Sequence, residues 1–485
     1  MVSAMAESPA KRRCRIALLP AMAGVLLASA AHAGGTAATR PRYLDLRYDE
    51  NWNVLADRGD APAADFFDPL KYIPLTESGS AWLSFGAQLR ERLEIWDDFG
   101  FGGPPGESHD DTYLLSRVLF HADLHLTAWL RVFAQGKSSF VTPDRDLPGG
   151  NRKTDVDQVD LQNGFVDVTF PAVVGAQLTL RGGRQEMAFG AQRLVSPLDW
   201  ANTRRTFDGA SAILSMGGWQ ATGFWTRPVR VNRYALNDWG PKDSFYGLYA
   251  SGLVARTAIR TDLYWLGLER GDASWNGTSG DEKRQTLGAR LSGVVPGTPL
   301  DLDIEGAYQL GKVGPGDVNA FMLASQLGWW LESLALSPRF FVGFDWASGD
   351  ESPGGDVETF NQLFPLAHQY YGFIDALGRQ NAVDGSLGVV LRPLPALTAT
   401  LTGHHFWRAD DDDALYSASG AVSRPGSGGS SSWLGAEIDL LLRYQLDVHT
   451  ALVGGYSHYF AAGFIDESGR GRDVDFGYWI FQYTF

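Results

Sequence analysis

Long segments in which apolar and polar residues alternate constrain this chain more than any other feature. From Leu83 to Ile95 the odd positions are apolar except Glu91, and the even positions are polar or glycine. The same two-residue period returns from Leu114 to Leu126 and from Leu434 to Leu446. Because successive side chains of a strand point to opposite faces, each segment is predicted to be a β-strand with one apolar face. Strands of about ten or more residues are typical of barrels that cross a membrane.

The connections between these segments predict the number of strands. Long polar loops are predicted at 98–111, 142–156, 190–204, 231–243, 271–282, 347–377, 410–429 and 462–472. Short turns separate them, and Gly311–Gly316 is short where a long loop is due. This pattern predicts an all-β fold, a transmembrane antiparallel barrel of about 18 strands with 16 as the alternative, formed by residues 81–485 in a bacterial outer membrane.

The first residues indicate export from the cytoplasm. A basic cluster at 11–15 precedes an apolar run that ends in Ala31-His32-Ala33. This arrangement predicts a signal peptide over residues 1–33. A transmembrane anchor is the alternative, disfavoured because the run has only about 16 residues and contains Pro20. Residues 34–80 lack sustained alternation, and we expect a periplasmic lead-in or a plug segment there.

Charge and cysteine content exclude several classes of function. The formal net charge is -15, and removing residues 1–33, with four basic residues and Glu7, leaves about -18. Such an acidic chain is not expected to bind nucleic acid. The single cysteine, Cys14, lies in the predicted signal peptide, so the mature chain is expected to have neither a disulfide nor a catalytic thiolate.

Motifs for catalysis or cofactor binding are not found in the sequence. No glycine-rich phosphate loop follows a predicted strand, and no His-Glu-x-x-His pattern occurs. His404 and His405 are neighbours on a predicted strand and therefore point to opposite faces. The chain is expected not to be an enzyme and to need no cofactor. The acidic run Asp410, Asp411, Asp412 and Asp413 is a candidate for binding a divalent cation, or a solvated loop tip.

The last strand carries aromatic residues at alternate positions and ends in one. Trp479, Phe481, Tyr483 and Phe485 form this pattern, which resembles the signal read by the outer-membrane barrel assembly machinery. That machinery is therefore an expected partner, together with outer-membrane lipid and lipopolysaccharide.

Two stretches resemble the alginate export family of outer-membrane proteins. The first is Arg184–Val195 followed by Asp199–Gly209, and the second is Phe360–Pro365 with His368, Tyr370, Gly372, Asp375 and Gly378–Asn381. A weaker third match is Arg90-Glu91-Arg92. The resemblance implies a monomeric 18-stranded barrel whose narrow, basic lumen passes an anionic polysaccharide of the alginate type outward. It also implies gating loops, and we expect a periplasmic export partner.

If the apolar faces contact lipid, the polar faces line the lumen, where guanidinium groups can bind carboxylates. The cations predicted along the substrate path are Arg90, Arg92, Arg117, Lys137, Arg290, Arg408 and Arg443. The predicted constriction or gating residues are Asp199, Asn202, Arg204, Arg205, Asp208, His368, Asp375 and Arg379.

Two alternatives remain open. The lumen cations could instead pair with the inward-facing acids Glu94, Asp123, Asp301, Asp303, Glu305, Glu437 and Asp439. The channel could also be an uptake porin of the same fold, for small anionic or polyhydroxylated nutrients.

Overall fold

A closed antiparallel barrel accounts for most of the chain. The computed structural model describes residues 40–58, 64–103, 107–173, 175–254 and 257–485; the predicted signal peptide lies outside these residues. Eighteen long strands are found among the described residues, which confirms the predicted all-β barrel and its main strand number. The strands are β1 Trp82–Asp97, β2 Asp111–His125, β3 Leu130–Thr142, β4 Asp157–Val173, β5 Ala176–Gln185, β6 Phe207–Met216, β7 Trp219–Arg230, β8 Ser244–Leu253, β9 Ile259–Trp275, β10 Thr278–Val294, β11 Leu300–Val313, β12 Gly316–Trp330, β13 Arg339–Ala347, β14 Ala382–Leu394, β15 Leu397–Trp407, β16 Trp433–Gln445, β17 Thr450–Ala461 and β18 Val474–Thr484.

Each strand pairs with its neighbours in sequence, and the first strand pairs with the last. Arg90 of β1 lies opposite Gln482 of β18. Beyond β18, Ala87 and Phe485 exchange two backbone hydrogen bonds of 2.9 Å. Among the described residues, closure leaves the barrel sheet without a free edge, so the backbone polar groups of its long strands can be satisfied within the sheet, as a lipid environment requires.

The apolar faces of the strands point outward, as the alternation predicts. On β1 the polar residues Ser84, Gln88 and Glu94 are buried inside the barrel, whereas Leu89 on the other face is exposed. Large apolar side chains are exposed around the barrel, among them Phe120, Leu248, Leu287, Leu327, Leu440 and Trp479. A polar interior with an apolar exterior is the distribution expected for a lipid-facing barrel.

Most connections agree with the predicted loops, but one predicted long loop is a tight hairpin. The loop expected at 271–282 is instead a two-residue turn at Asn276 and Gly277, because β9 and β10 continue to the tip. Both residues have positive φ, 35° and 90°, as a type I′ hairpin turn requires. The short connection after Val313 is confirmed, since β11 and β12 pair up to Gly316.

Shorter elements lie outside the main strands. Among the described residues, no helix is both long enough and apolar enough to span a membrane. The helical turns are Arg47–Asp49, Asn53–Arg58, Asp68–Lys71, Phe99–Gly102, Ala367–Gln369 and Phe464–Glu467, and the short strands are Ile73–Pro74, Asp238–Trp239, Leu415–Tyr416 and Val422–Arg424.

Two connections fold into the lumen and pack on each other. We call residues 186–206 the constriction loop and residues 348–381 the capping loop. Val195 and Phe364 form a parallel bridge between the loops. Ser196 N donates to Phe364 O at 2.9 Å, and Leu366 N donates to Gln192 O at 3.0 Å. These backbone bonds join the two loops within the barrel.

Candidate pore constriction

Arginines from the barrel wall converge on Asp199 of the constriction loop. Arg117 Nη2 lies 2.7 Å from Asp199 Oδ1, and Arg90 Nη1 lies 3.7 Å from Asp199 Oδ2. Arg204, from the same loop, contacts Asp199 Oδ1 as well. Burial opposes ionisation of Asp199, but these three arginines outweigh it and hold the pKa of its carboxyl far below the ordinary value. Asp199 is therefore an anion at all physiological pH values.

The arginines also hold the loop backbone. Arg90 Nη1 donates to Asp199 O at 2.5 Å, and Arg117 Nη1 donates to Ala201 O at 3.2 Å. Arg92 donates to Trp200 O and pairs with Glu94 at 2.8 Å. All three wall arginines are less than 3% exposed. The constriction loop therefore covers these three guanidinium groups and separates them from the solvent in the lumen.

Trp200 lies between a guanidinium group and an imidazole ring. The Cζ of Arg92 is 3.9 Å from the Trp200 ring centroid. The His368 ring stacks on Trp200 with centroids 3.5 Å apart and planes inclined by 10°. His368 belongs to the capping loop, and its Nδ1 lies 3.1 Å from Asp375 Oδ2. The stack is therefore a contact between the two inward-folded loops.

Cavities lie on both sides of this stack. The loop-side cavity, of about 310 Å³, is lined by Arg92, Arg152 and Asp375, and the turn-side cavity, of about 390 Å³, by Arg90, Gln369 and Arg443. Trp200 and His368 line both cavities. The stacked pair consequently separates them.

Arg443 differs from the other predicted lumen cations because it is exposed. It lies on the inner face of β16 and lines the turn-side cavity. Among the described residues it has no ion pair, and Gln192, Gln369 and Gln482 contribute amide groups to the same cavity. Arg443 is therefore available to a solute in a way that the buried arginines are not.

Other predicted residues anchor the constriction loop to the wall. Lys137 Nζ pairs with Asp157 at 2.8 Å and donates to Thr203 O at 2.6 Å. The side-chain amide of Asn202 donates to the backbone oxygens of Ser116 and Asp155 at 2.9 and 3.0 Å. Lys137 and Asn202 therefore position the loop rather than face an open channel.

The capping loop has its own anchors. Arg379 Nη2 lies 2.6 Å from Asp345 Oδ2 of β13, and Ile374 N donates to Glu437 Oε1 of β16 at 2.9 Å. Arg205 bridges the loops, since its Nη1 donates to Ser196 O at 3.1 Å and Pro365 O at 3.4 Å. Arg205 has no ion pair among the described residues, and burial lowers its pKa to about 10.

Two predicted residues line neither of the two cavities beside the constriction. Asp208 is on the outer face of β6, paired with Arg184 at 2.7 Å, while its neighbour Phe207 is buried inside. The strand begins at Phe207, so alternation turns Asp208 outward. Arg408 follows the last residue of β15 and binds loop carbonyls, including Asp411 O at 2.9 Å. Asp208 therefore lies outside the constriction for which it was predicted, and Arg408, predicted for the substrate path, holds the loop after β15 instead.

In part of the lumen the arginines pair with inward-facing acids, as the alternative prediction states. Arg290 Nη2 pairs with Asp303 at 2.7 Å, and its Nη1 pairs with Asp262 at 3.0 Å. Further pairs of the same kind are Arg131 with Asp123, Arg339 with Asp301, and Arg193 with Glu305. Glu437 and Asp439 instead accept bonds from the capping-loop backbone. Of the predicted path cations, Arg90, Arg92 and Arg117 lie together and Arg290 lies apart from them.

The four residues of the acidic run, 410–413, lie in two different environments. Asp410, Asp411 and Asp412 place carboxylate oxygens within 4.8 Å of one another. Asp413 is buried and accepts hydrogen bonds from Thr359 at 2.6 Å and Tyr416 at 2.8 Å. Asp413 therefore joins the capping loop to the loop that follows β15.

Sequence reasoning missed several residues at the constriction. Trp200, Gln369 and Glu186 were not among the predicted site residues, yet the first two line the turn-side cavity and Glu186 pairs with Arg204. The loop also contains apolar residues such as Phe189 and Leu194, so its composition does not single out Trp200. Nothing in the spacing of Glu186 indicates its partner.

Comparisons with solved structures agree on the fold. OpdO of Pseudomonas aeruginosa matches with a TM-score of 0.56 at 14% identity, covering 83% of this chain and 97% of that chain. OpdL of the same organism matches with a TM-score of 0.54 at 16% identity, covering 83% and 98%. OpdK of P. aeruginosa, solved with vanillate, gives 0.54 at 10%, also covering 83% and 98%. No curated protein matches the chain.

The barrel has the fold of porins, and together with the family match below this fold points to an outer-membrane channel. The family model for alginate export matches residues 81–475, which is most of the chain. The protein therefore belongs to the alginate export family, and the fold and family together indicate an outer-membrane protein.

Proposed function

We propose that this protein is a passive, selective channel that exports an anionic polysaccharide of the alginate type across the bacterial outer membrane. The observation that carries the proposal is the convergence of arginines on the constriction loop, next to an exposed Arg443. Guanidinium groups match carboxylates in geometry and charge, so a polyuronate chain is a suitable solute.

The charges around the constriction favour anions. Around the two cavities and the constriction loop there is one more guanidinium group than carboxylates, since Arg90, Arg92, Arg117, Arg152, Arg204, Arg205 and Arg443 lie with Asp45, Glu94, Asp155, Glu186, Asp199 and Asp375. An excess of positive charge in a narrow lumen concentrates anions and repels cations. Arg443 makes the first contact with a carboxylate that enters from the short-turn side.

The inward-folded loops form the gate in this proposal. The long loops face the exterior and the short turns face the periplasm, so the turn-side cavity is the entrance for export. Contact between Trp200 and His368 closes the route between the cavities, and a sugar chain passes only when the two rings separate. In this proposal the channel works as a monomer surrounded by outer-membrane lipid and lipopolysaccharide. The barrel assembly machinery binds its last strand, and a periplasmic partner delivers the polymer.

Uptake of small anionic or polyhydroxylated nutrients is the second candidate. The size of the cavities favours it, because about 310 and 390 Å³ accommodate only a short saccharide or a small acid at one time. The related fold of OpdK, solved with vanillate, shows that a barrel of this kind can be crystallised with a small carboxylate.

Planar-bilayer recording of the purified protein tests the proposal. The reversal potential in a KCl gradient measures ion selectivity, and oligouronates of increasing length are then added on the short-turn side. We expect anion selectivity and a block whose lifetime grows with chain length. Arg443→Gln should weaken the block severalfold, whereas Arg230→Gln, at an exposed site 62% accessible and paired with Asp243, should not.

The outcomes separate the candidates. Block by single small acids with no dependence on chain length would favour the uptake porin. Cation selectivity, or indifference to every uronate, would overturn the assignment of an anionic solute while leaving the channel class intact.

A further inference from the structure

Residues before the barrel lie in the lumen and touch the constriction loop. Tyr48 is 5% exposed, and its ring packs edge-on against Phe133 and Phe165 with centroids 5.9 and 5.2 Å away. The guanidinium of Arg181 lies over the same ring at 4.4 Å. Burial raises the pKa of the Tyr48 phenol well above its ordinary value, so the hydroxyl keeps its proton.

That hydroxyl donates a 2.7 Å hydrogen bond to Glu186 O. Glu186 is the first residue of the constriction loop, and its carboxylate accepts bonds from Gln162 and Asn163 at 2.9 Å and pairs with Arg204. Arg204 contacts Asp199, the residue before Trp200. A short chain of polar contacts therefore leads from Tyr48 to the constriction.

A second contact joins the same segment to the far end of the loop. Arg204 Nη2 donates to Asp45 O at 3.2 Å. Asp45 also lines the turn-side cavity. Residues 45–48 thus touch both the start and the end of the constriction loop.

The segment is fixed at its other side by the barrel wall. Arg47 is 3% exposed and pairs with Glu50 at 2.6 Å. Its guanidinium also donates to Ala87 O at 3.2 Å and to Phe485 O at 2.8 Å. These two oxygens belong to the first strand and to the C-terminal residue, where the barrel closes. Arg47 therefore anchors the segment, and the Tyr48 ring extends from it to the loop.

We propose that Tyr48 is a positioning residue of the pore, which holds the first turn of the constriction loop against the wall and thereby keeps Trp200 in contact with His368. The proposal rests on the function proposed above and assigns control of its gate to the segment on the short-turn side. Displacing residues 45–50, as a periplasmic partner could do, releases the loop and opens the channel.

Two substitutions at Tyr48 separate its hydroxyl from its ring. Tyr48→Phe keeps the aromatic packing and removes the bond to Glu186 O, whereas Tyr48→Ala removes both. In KCl we expect more frequent opening transitions for Tyr48→Phe and a severalfold higher mean conductance for Tyr48→Ala. Asn51→Ala, an exposed residue of the same segment, is the matched control and should behave as the parent protein.

A chemical readout makes the test independent of ion selectivity. The mature chain is predicted to lack cysteine, so Gln369→Cys places a single thiol in the turn-side cavity beside the gate. We expect a thiol reagent added on the loop side to modify it severalfold faster when Tyr48 is replaced by alanine. Migration of the unheated barrel on a denaturing gel confirms that each variant is folded.

These outcomes are distinct from failure of the proposed function. A channel that proves indifferent to uronates can still open more often in Tyr48→Phe, which would support the positioning role. Folded Tyr48→Ala with parental conductance and parental thiol reactivity would overturn it. Parental gating in Tyr48→Phe together with opening in Tyr48→Ala would overturn the role of the hydroxyl.

Discussion

The indole ring of Trp200 and the imidazole ring of His368 are stacked at a centroid distance of 3.5 Å, although 167 positions of sequence lie between them. One ring comes from the constriction loop and the other from the capping loop. Their contact separates the two cavities that follow each other through the lumen.

Replacing the tryptophan should open the route between these cavities. Trp200→Ala removes the ring that fills the contact, so we expect a severalfold higher single-channel conductance in planar bilayers. The matched control is Trp225→Ala, because Trp225 is 51% exposed on the outer face of β7. Equal conductance of Trp200→Ala and the parent would show that the gate lies elsewhere.

The pair formed by Arg117 and Asp199 should stabilise the folded barrel. Arg117 is fully buried, and removing one member of a buried ion pair costs about 3–5 kcal/mol. Because the Asp199 side chain is 37% exposed, we expect about 2 kcal/mol for Asp199→Asn. Urea unfolding in lipid vesicles of Arg117→Gln, Asp199→Asn and the double variant measures the coupling between them. Additive losses would contradict a direct interaction.

Attachment of the capping loop should depend on pH. Burial, together with the nearby Asp413, raises the pKa of Asp350 to about 6. A raised carboxyl pKa means that the stabilising contribution is complete below the unfolded value near 4 and is lost as pH rises through about 6. We therefore expect hydrogen exchange in residues 348–360, corrected for its intrinsic rate, to be severalfold slower at pH 5 than at pH 7.5.

Asp350→Asn should remove that pH dependence, because the amide cannot ionise. Glu351→Gln is the control, since Glu351 is an exposed acid next to the site. A pH profile that is unchanged in Asp350→Asn would assign the effect to another group.

Substitution of Asp208 should affect stability and leave transport unchanged. The side chain pairs with Arg184 on the outer face of the barrel, at 24% exposure. For Asp208→Asn we expect a loss of about 1 kcal/mol in the free energy of unfolding, as for partly exposed ion pairs. Conductance and selectivity should match those of the parent. A change in conductance or in selectivity would show that Asp208 does contribute to the pore.

The strands and their faces could be predicted because one physical rule governs them. Lipid outside and water inside impose a two-residue period, so Arg90, Arg92 and Arg117 were assigned to the lumen from alternation alone. Asn276 and Gly277 show where this reasoning is incomplete. The polar residues around them predicted a long loop, although an Asn-Gly pair favours a two-residue hairpin turn. Asp208 was assigned to the wrong face because the face of each residue depends on where the strand begins, and a shift of one residue reverses it.

The arrangement inside the barrel could not be predicted in the same way. Loop residues have no period, and the partners of Asp199 and Trp200 are set by how two distant connections fold against each other. The burial of the wall arginines follows from that folding. Sequence reasoning consequently predicted the charges of the lumen but not that the constriction loop covers most of them, leaving Arg443 exposed.

Because the first strand pairs with the last, the barrel can close only when its last strand is present. Residues 82–97 have no permanent partner on one edge until residues 474–485 have been synthesised and exported. A chain cut short by even one strand would carry two long unpaired edges, which are sites of aggregation. We therefore expect a truncated chain to be degraded rather than to insert as an open channel.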